Sequence, residues 1–375
     1  MTNEERKEAR YHRRQAKRKA NRATRSEECG SLDDIFSFHN LFKYGLKCCN
    51  GVRWKQSTQN FERHLLDRTA QRRKEVLSGT WYPGKCSHFT INERGKVREI
   101  DAPYINDRHV CKTLVREVIV PLYTPVMIMD SGACQTGKGL HWQMERLKEH
   151  LRWHYRRYGR KGGVLLMDLK GFFPNANREL VYKRHADLIT DPDVRVVADA
   201  VIRGAPETSP GKGLPLGTEI SQIEMCALPS PVDHWLRCQR GIRTMGHYMD
   251  DYYVIMPDID ALEEVRDEMI RRFETLGIPV STHKTRIVPL TKPFRFCKAK
   301  FRLTETGRVI VNGCRDGMKR ARRKLRLFAS QGRKEAAREY LTSQTAYYAN
   351  FNDHGRVLRL NRMYHALFSE EENDR

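Results

Sequence analysis

The chain has 375 residues, enough for a large core divided among two or three packed subdomains. Its 69 Lys and Arg residues exceed its 46 Asp and Glu residues, and the resulting net charge of +23 calls for a polyanionic partner such as nucleic acid. No run approaches the roughly 20 apolar residues of a spanning helix, so we expect neither a membrane protein nor a membrane partner.

The ten cysteines indicate neither a metal site nor a disulfide framework. No two of them have the C-x-x-C spacing of a zinc ribbon. The basic N-terminus lacks the apolar segment of a secretory signal, so we expect reduced thiols and a cytoplasmic protein.

Residues 1–30 are expected to form a basic N-terminal tail. The first 25 residues hold ten Lys and Arg against three Glu, with neither Pro nor Gly. This composition fits a solvated helix or a disordered arm, and in either form the charge suits contact with phosphates. A terminus that only improves solubility is the alternative.

The next part of the chain mixes strand and helix patterns. Residues 87–91 and 97–100 alternate like two short strands, and the Gly-containing segment 93–96 is typical of a hairpin turn. Helical patterns follow at 108–122 and 140–157. The second helix is strongly basic, and its charge runs past its end: Lys148, Arg152, Arg156, Arg157 and Arg160.

Two predicted strands carry carboxylates. The apolar run 163–167 has strand length and ends in Asp168. The segment 248–256 interrupts aromatic and β-branched residues with Asp250 and Asp251, which is typical of a hairpin whose turn carries both acids. An apolar strand that ends in a charge places that charge at the tip of a buried scaffold.

The C-terminal part begins with a well-patterned helix. Residues 261–276 carry apolar side chains at helical spacing, with Asp258 or Asp260 to cap the start and Gly277 to end the helix. Residues 294–311 then alternate like strands.

A last basic helix is predicted after Arg315. Residues 315–338 contain ten Lys and Arg against two acids, so one face can contact phosphates while the other packs on the core. The apolar face is read from four residues at helical spacing: Met318, Ala321, Leu325 and Phe328.

The three acids at the strand tips indicate metal-dependent chemistry. Adjacent carboxylates such as Asp250 and Asp251 repel each other, and a divalent cation offsets that repulsion directly. Mg²⁺ accepts carboxylate oxygen and keeps positions for water and phosphate. With Asp168 and a charge of +23, the pattern predicts chemistry on nucleic acid or nucleotides, without separating a polymerase from a nuclease.

These motifs resemble those of reverse transcriptases, in the family's order. Tyr248-Met249-Asp250-Asp251 resembles the YxDD box, and the segment 168–173 (DLKGFF) resembles motif A. The segment 213–222 (GLPLGTEISQ) resembles motif B, and 97–103 (VREIDAP) the fingers motif. His283-Lys284-Thr285 resembles the motif D lysine position, and 294–301 the primer grip.

The resemblance implies a site with four groups of residues. Catalysis is assigned to Asp168, Asp250, Asp251 and Lys284. Two Mg²⁺ ions per site, or Mn²⁺ in their place, are assigned to Asp168, the Leu169 carbonyl, Asp250 and Asp251. Nucleotide binding is assigned to Arg98 at the triphosphate, Phe173 as the steric gate, and Gln222. Template and primer contacts are assigned to Gly213, Gly217, Ser221 and Phe296.

Four of these residues have a plainer interpretation. Arg98 could instead pair with Glu99 or Asp101, and Phe173 could be an ordinary core residue beside Phe172. Lys284 could be a solvated surface side chain, and Gln222 could make a cap or turn contact.

The implied fold is α+β, a right-hand polymerase with fingers, a palm built on an antiparallel sheet, and a helical thumb. The expected boundaries are 31–160 for the fingers region, 161–314 for the palm with its YMDD hairpin and primer grip, and 315–375 for the thumb.

Within the family, motif B discriminates between branches. Leu216-Gly217 and Ser221-Gln222 resemble the diversity-generating retroelement branch, and also some phage-defence (abortive-infection or unknown-group) enzymes. The resemblance implies an RNA template, a DNA product and dNTPs, with a cognate noncoding RNA or an accessory protein as further partners. The rivals from other classes are an RNA-binding scaffold with a silent palm and an RNA-templated RNA polymerase.

Overall fold

The computed structural model describes residues 3–93 and 95–368, which form helices and antiparallel sheets. They fall into two compact units. The first unit contains the described residues within Met1–Met129, Leu169–Gln239 and Ile270–Val280, and the second those within Asp130–Asp168, Arg240–Met269 and Ser281–Arg375. The predicted α+β class is confirmed, while the boundaries of tail, fingers, palm and thumb stay predictions.

The first unit is largely helical. Its N-terminal helices are α1 (Asn3–Glu28), α2 (Leu32–Ile35), α3 (Phe38–Cys49), α4 (Gln56–Arg63) and α5 (Leu65–Leu77). Helix α1 covers most of the predicted tail, so the tail is helical rather than a disordered arm. Ser26 near its end is buried, and its hydroxyl accepts a hydrogen bond from the Thr190 amide at 2.9 Å.

The predicted hairpin forms in this unit. Strands β1 (Ser87–Glu93) and β2 (Lys96–Ala102) pair antiparallel from Ser87↔Ala102 to Glu93↔Lys96. The turn is shorter than predicted because the pairing continues to Glu93 and Lys96. Arg94 lies outside the described residues.

The predicted helix at 108–122 is observed with an interruption. Helix α6 (Ile105–Leu114) passes into a π-helical turn, Val115–Ile119, before α7 (Val120–Tyr123). Pro121 has no amide hydrogen, and its ring would clash with the carbonyl four residues earlier, so a widened turn there accommodates it. The remaining helices of the unit are α9 (Arg178–Leu188), α10 (Pro192–Arg203), α11 (Glu219–Ala227) and α12 (Ser230–His234).

The second unit is built on a four-stranded antiparallel sheet of order β4–β5–β3–β6. Its strands are β3 (Gly163–Asp168), β4 (Met245–Tyr248), β5 (Asp251–Met256) and β6 (Arg286–Pro289). Helix α8 (Leu140–Tyr158) contributes Met144, Leu147 and Leu151 to the core cluster that holds Val164 and Leu166 of β3. Helix α13 (Ile259–Thr275) begins in this unit, where Asp258 caps it as predicted: its carboxylate accepts from the amides of Asp260 and Ala261.

The same core continues into a second sheet and the C-terminal helices. Strands β7 (Phe294–Phe296), β8 (Ala299–Leu303) and β9 (Val309–Gly313) form an antiparallel sheet whose alternate side chains are buried. Helices α14 (Arg315–Ser330), α15 (Lys334–Ala349) and α16 (His354–Phe368) follow. The apolar face predicted for α14 is confirmed, since its buried residues are Met318, Ala321, Leu325 and Phe328.

Among the residues that the structure describes, no helix is both long enough and apolar enough to cross a membrane.

Candidate active site

The three predicted carboxylates lie at adjoining strand ends of the second unit. Asp168 is the last residue of β3 and pairs in register with Asp251, the first residue of β5. The prediction that Asp251 lies in the hairpin turn is wrong, because the pair Tyr248↔Asp251 closes a turn of only two residues, Met249 and Asp250.

The turn is held in an unusual conformation. Met249 has φ +55°, in the left-handed region that glycine normally adopts at this position of a tight hairpin. For a residue with a side chain this conformation costs about 1–3 kcal/mol, which the surrounding structure must offset. Backbone strain of this size is found most often at functional sites, so the turn that carries Asp250 is a candidate for one.

The charges of the cluster are partly compensated. The Lys284 ammonium donates to both oxygens of Asp168, at 2.8 and 2.9 Å, and this hydrogen bonding raises the pKa of Lys284. Burial, followed by the negative charges of Asp250 and Asp168, raises the pKa of Asp251 to about 7. The cluster therefore holds more negative charge than one lysine neutralises.

The donor set of this cluster fits Mg²⁺ or Mn²⁺. Three carboxylates supply hard oxygen ligands, and the raised pKa of Asp251 shows that another positive charge would be favourable there. Within 3–93 and 95–368, no three His, Cys, Asp or Glu side chains are already arranged around a cation position. Instead, the Lys284 ammonium supplies the positive charge at Asp168.

The Leu169 carbonyl is free of the neighbouring strand pairing. Leu169 forms an isolated antiparallel bridge with Val280, and the flanking bonds use the Lys170 amide and the Asp168 carbonyl. In this arrangement Leu169 itself donates and accepts nothing across the bridge. Its side chain is buried.

A buried histidine braces the turn from β4. The His247 ring stacks on Tyr252 with 4.4 Å between ring centroids and 6° between planes, and its Nδ1 donates to the Met249 carbonyl at 3.2 Å. The His247 backbone forms a parallel β-bridge with the segment 130–132. Its amide donates to the Asp130 carbonyl and its carbonyl accepts from the Gly132 amide, each at 3.1 Å.

Polar groups from α8 contact the segment 130–132 and strand β5. Arg146 donates to the buried Asp130 carboxylate at 2.8 Å, and His150 hydrogen-bonds the Tyr253 hydroxyl at 2.9 Å. Gly246 is required at its position in β4, because a Cβ there would come within 2.8 Å of the Asp130 carbonyl oxygen.

The predicted primer grip lies beside the cluster. The Phe296 ring is buried and packs edge-on against Tyr253, with 5.0 Å between ring centroids. The turn after it, Cys297 and Lys298, has positive φ at both residues, and the Cys297 sulfur lies 4.0 Å from Asp251. Lys298 is exposed in this turn, and the primer contact predicted for Phe296 stays a prediction.

The residues assigned to the nucleotide lie in the first unit. Arg98 is partly exposed and forms an ion pair with Glu93 across the hairpin, at 2.9 Å, rather than with Glu99 or Asp101. Phe173 is also partly exposed, and it meets the buried Phe172 edge-on at 6.0 Å. Phe173 is therefore not the ordinary core residue of the plainer interpretation.

The motif B loop packs against the hairpin within this unit. The Asp101 amide donates to the Leu216 carbonyl at 3.0 Å, and a Cβ on Gly217 would lie 3.1 Å from the Asp101 carbonyl oxygen. With φ +119°, Gly217 permits this approach as only glycine can. Gly213 has φ +95° and is similarly crowded by Thr208.

Two further motif B residues begin helix α11. The Thr218 hydroxyl caps the helix by accepting from the Ser221 amide at 3.2 Å, and the Ser221 side chain is fully buried. Gln222 is exposed on the helix surface.

The structure thus brings together Asp168, Asp250, Asp251 and Lys284 in one unit. Sequence reasoning missed the contribution of Cys297 and the Asp130 segment, because nothing in their local pattern indicates a partner so far away in the chain. His247 was visible beside the YMDD box, but its orientation toward Met249 required the structure.

A family model supports the resemblance. The model described as reverse transcriptase (RNA-dependent DNA polymerase) matches residues 90–319, more than half of the chain and every site residue named above. The chain therefore belongs to the reverse transcriptase family.

Comparison with other proteins adds little to this assignment. No curated protein matches the chain. A solved structure of telomerase from Candida albicans in complex with a TWJ fragment of telomeric RNA is similar with a TM-score of 0.44 and 12% identity. The match covers 83% of this chain and 66% of that one, just under two thirds of the telomerase chain.

Proposed function

We propose that this protein is an RNA-directed DNA polymerase that adds dNTPs to a primer 3′ end on an RNA template. The observation that carries the proposal is the carboxylate cluster at the ends of β3 and β5, with Lys284 on Asp168. Membership of the reverse transcriptase family supports the same activity.

In this proposal Asp168, Asp250 and Asp251 hold two Mg²⁺ ions, or Mn²⁺, together with the Leu169 carbonyl. Bound there, the ions would activate the 3′-hydroxyl and stabilise the leaving pyrophosphate. Lys284, a protonated group on the cluster, is placed to supply positive charge or a proton to the leaving group.

The nucleotide contacts are proposed at three residues that the family resemblance assigns to this role. Arg98 offers a planar fork of donors to the triphosphate once its partly exposed partner Glu93 releases it. Phe173 excludes a 2′-hydroxyl by its volume, which favours dNTPs over NTPs. Gln222, exposed on α11, contacts the nucleotide, while Gly213, Gly217 and the Ser221 cap set the shape of the loop beside it.

The nucleic acid is proposed to follow basic clefts of the second unit. One cavity of about 450 Å³ is lined by Arg286, Arg295 and Lys300, and a second of about 430 Å³ shares the last two residues with Arg315 and Arg356. Cationic clefts of this kind attract the phosphate backbone.

The biological setting is proposed to be a diversity-generating retroelement, where the cDNA would carry errors at template adenines and an accessory protein would assist. The alternative is phage defence, with cDNA made from a dedicated noncoding RNA. Both settings are proposed from the residues of motif B, Leu216-Gly217 and Ser221-Gln222. Sequencing the RNA and cDNA that copurify with the protein separates them: adenine-directed errors support the first, and faithful or repetitive cDNA the second.

The activity itself is tested by primer extension. The purified chain with Mg²⁺, dNTPs and an RNA template annealed to a DNA primer should extend the primer. Asp250→Asn should abolish extension, whereas Glu264→Gln, a matched loss of an exposed carboxylate on α13, should not. Equal use of NTPs would identify an RNA polymerase, and no extension by the wild type would favour a silent RNA-binding scaffold.

A further inference from the structure

Helix α8 presents an outward basic surface that no catalytic role uses. One side of the helix is buried against the sheet, through Leu147, His150, Leu151 and His154. Arg152 and Arg156, one turn apart, lie on the opposite side and are exposed, and Trp153 and Arg157 flank them. We call these four residues the outer α8 patch.

No carboxylate of the described residues neutralises the cations of this patch. Three other cations of the region do have acidic partners: Arg146 pairs with Asp130 and Glu149, Lys148 with Glu145, and Arg160 with Glu305. In the part of the chain that the structure describes, Arg152, Arg156 and Arg157 form no ion pair. Arg157 lies instead over the Trp153 ring, 4.0 Å from its centroid.

The patch lies at the end of the sheet away from the catalytic cluster. The start of α8 is beside β4, where Gln143 approaches Gly246, and its last turns are beside the start of β3, where His154 bonds the Lys161 carbonyl. Strand β3 then runs from Gly163 to Asp168, about 16 Å at roughly 3.3 Å per residue. A ligand on the patch is therefore separate from one at Asp168.

We propose that the outer α8 patch binds single-stranded or looped RNA outside the stretch being copied. Three guanidinium groups can each take a phosphate, and the partly exposed Trp153 indole with Arg157 over its ring can add a stacking contact to a base. A polyanion with exposed bases satisfies both features, whereas an acidic protein would leave the tryptophan unused. This proposal goes beyond the polymerase activity, which it does not require.

A structural explanation accounts for only part of the patch. Arg156 and Arg157 lie in the last turn of α8, where cations stabilise the helix dipole. Arg152 lies outside that turn, and neither it nor Trp153 is explained in this way. The dipole explanation predicts an effect on thermal stability without an effect on RNA affinity.

The test compares two ligands and two charge-matched variants of the full chain. One ligand is a short RNA template annealed to a DNA primer, and the other is the same duplex with a 60-nucleotide single-stranded RNA extension. Binding is measured for Arg152→Gln/Arg156→Gln/Arg157→Gln and for the control Lys55→Gln/Lys74→Gln/Lys183→Gln, whose lysines are exposed elsewhere. The single change Arg152→Gln is a further, milder variant of the patch.

The patch variant should bind the extended RNA at least tenfold more weakly, with a salt slope reduced by about 2, the value for three single-strand phosphate contacts. Its affinity for the short duplex should stay within twofold, and the control should match the wild type on both ligands. Equal loss on both ligands would place the patch on the template–primer path and overturn the proposal. A lower melting temperature with unchanged RNA affinity would overturn it in favour of the dipole role.

Failure of this proposal is distinguishable from failure of the polymerase function. Binding to the extended RNA needs no dNTP and no extension, so a wild-type chain that binds it through the patch but extends no primer would contradict only the proposed activity.

Discussion

At the scale of single residues, the buried His247 side chain contacts the backbone next to Asp250. Met249 is held at φ +55°, and the hydrogen bond from His247 to its carbonyl is a contact that stabilises this conformation. Asp250 is a proposed metal ligand, and removal of groups that orient metal ligands typically changes metal affinity 10- to 100-fold. We therefore regard His247 as a positioning residue.

His247→Phe keeps the ring that stacks on Tyr252 and loses the donor, while His247→Asn keeps a donor and loses the ring. The phenylalanine variant should bind Mn²⁺, followed by electron paramagnetic resonance, about tenfold more weakly and should lower kcat with KM for dNTP little changed. The asparagine variant should recover part of the Mn²⁺ affinity and part of kcat. If the phenylalanine variant matches the wild type, or asparagine rescues nothing, the hydrogen bond has no positioning role.

The partial exposure of Phe173 gives the steric gate a direct test. Phe173→Ala should raise the use of NTPs relative to dNTPs by at least about tenfold, since the space for a 2′-hydroxyl depends on this ring. Phe173→Tyr, which keeps the ring, is the control and should discriminate like the wild type. Competition between labelled dNTP and NTP in primer extension measures the ratio, and an unchanged ratio in the alanine variant would contradict the assignment.

These residues also show how far the sequence predicts the site. Asp168 was recognisable because an apolar run of strand length ends in it, and Asp250 because two acids interrupt a second such run. The ion pairs of Lys284 with Asp168 and of Arg98 with Glu93 were not recognisable from the sequence, because they depend on how the strands pair. A periodic pattern specifies which face of an element is buried but not which side chains meet across elements.

At the scale of elements, a buried ionic network joins three helices of the first unit. His185 of α9 lies 2.6 Å from Asp199 of α10 and 3.0 Å from Glu224 of α11, and it is fully buried. Burial opposes its charged form, but the charge of Glu224 and the hydrogen bonds to both acids outweigh that effect and raise the pKa of His185 to about 9.

The network predicts a pH-dependent stability. The folded state keeps a proton that the unfolded state releases near pH 6.5, so the stabilisation is complete below that pH and is lost as the pH rises toward 9. The free energy of unfolding should fall by about 3 kcal/mol over this window. Urea unfolding at several pH values measures it. His185→Gln should lose this dependence and the exposed control His39→Gln should keep it, and a flat wild-type profile would contradict the prediction.

Helices with a strong apolar period were predicted best. The four residues predicted for the buried face of α14 are the ones found buried, because apolar side chains recur there every three or four residues without interruption. The π-helical turn before Pro121 was not predicted, since a proline in a helical pattern is equally compatible with an end, a kink or a widened turn.

At the scale of the whole molecule, the chain order does not match the compact units. The chain leaves the first unit at Met129, returns at Leu169, leaves at Gln239 and returns again for Ile270–Val280. A linear division into tail, fingers, palm and thumb could not anticipate this, because contacts between segments far apart in sequence define the units. Charge, in contrast, is a property that composition alone predicts.

The net charge of +23 predicts that binding to template and primer weakens steeply with salt. If six to ten phosphates are contacted, affinity should fall about 10³- to 10⁵-fold between 50 and 200 mM salt. The first 25 residues contribute ten cations, and Ser26 anchors the end of α1 to Thr190, so the charge of the helix can be changed without removing that anchor. A full-length variant with these ten residues changed to Gln should show a shallower slope, whereas a tail that only improves solubility would leave the slope unchanged. A wild-type affinity that barely responds to salt would contradict the assignment of the basic surfaces to phosphate contact altogether.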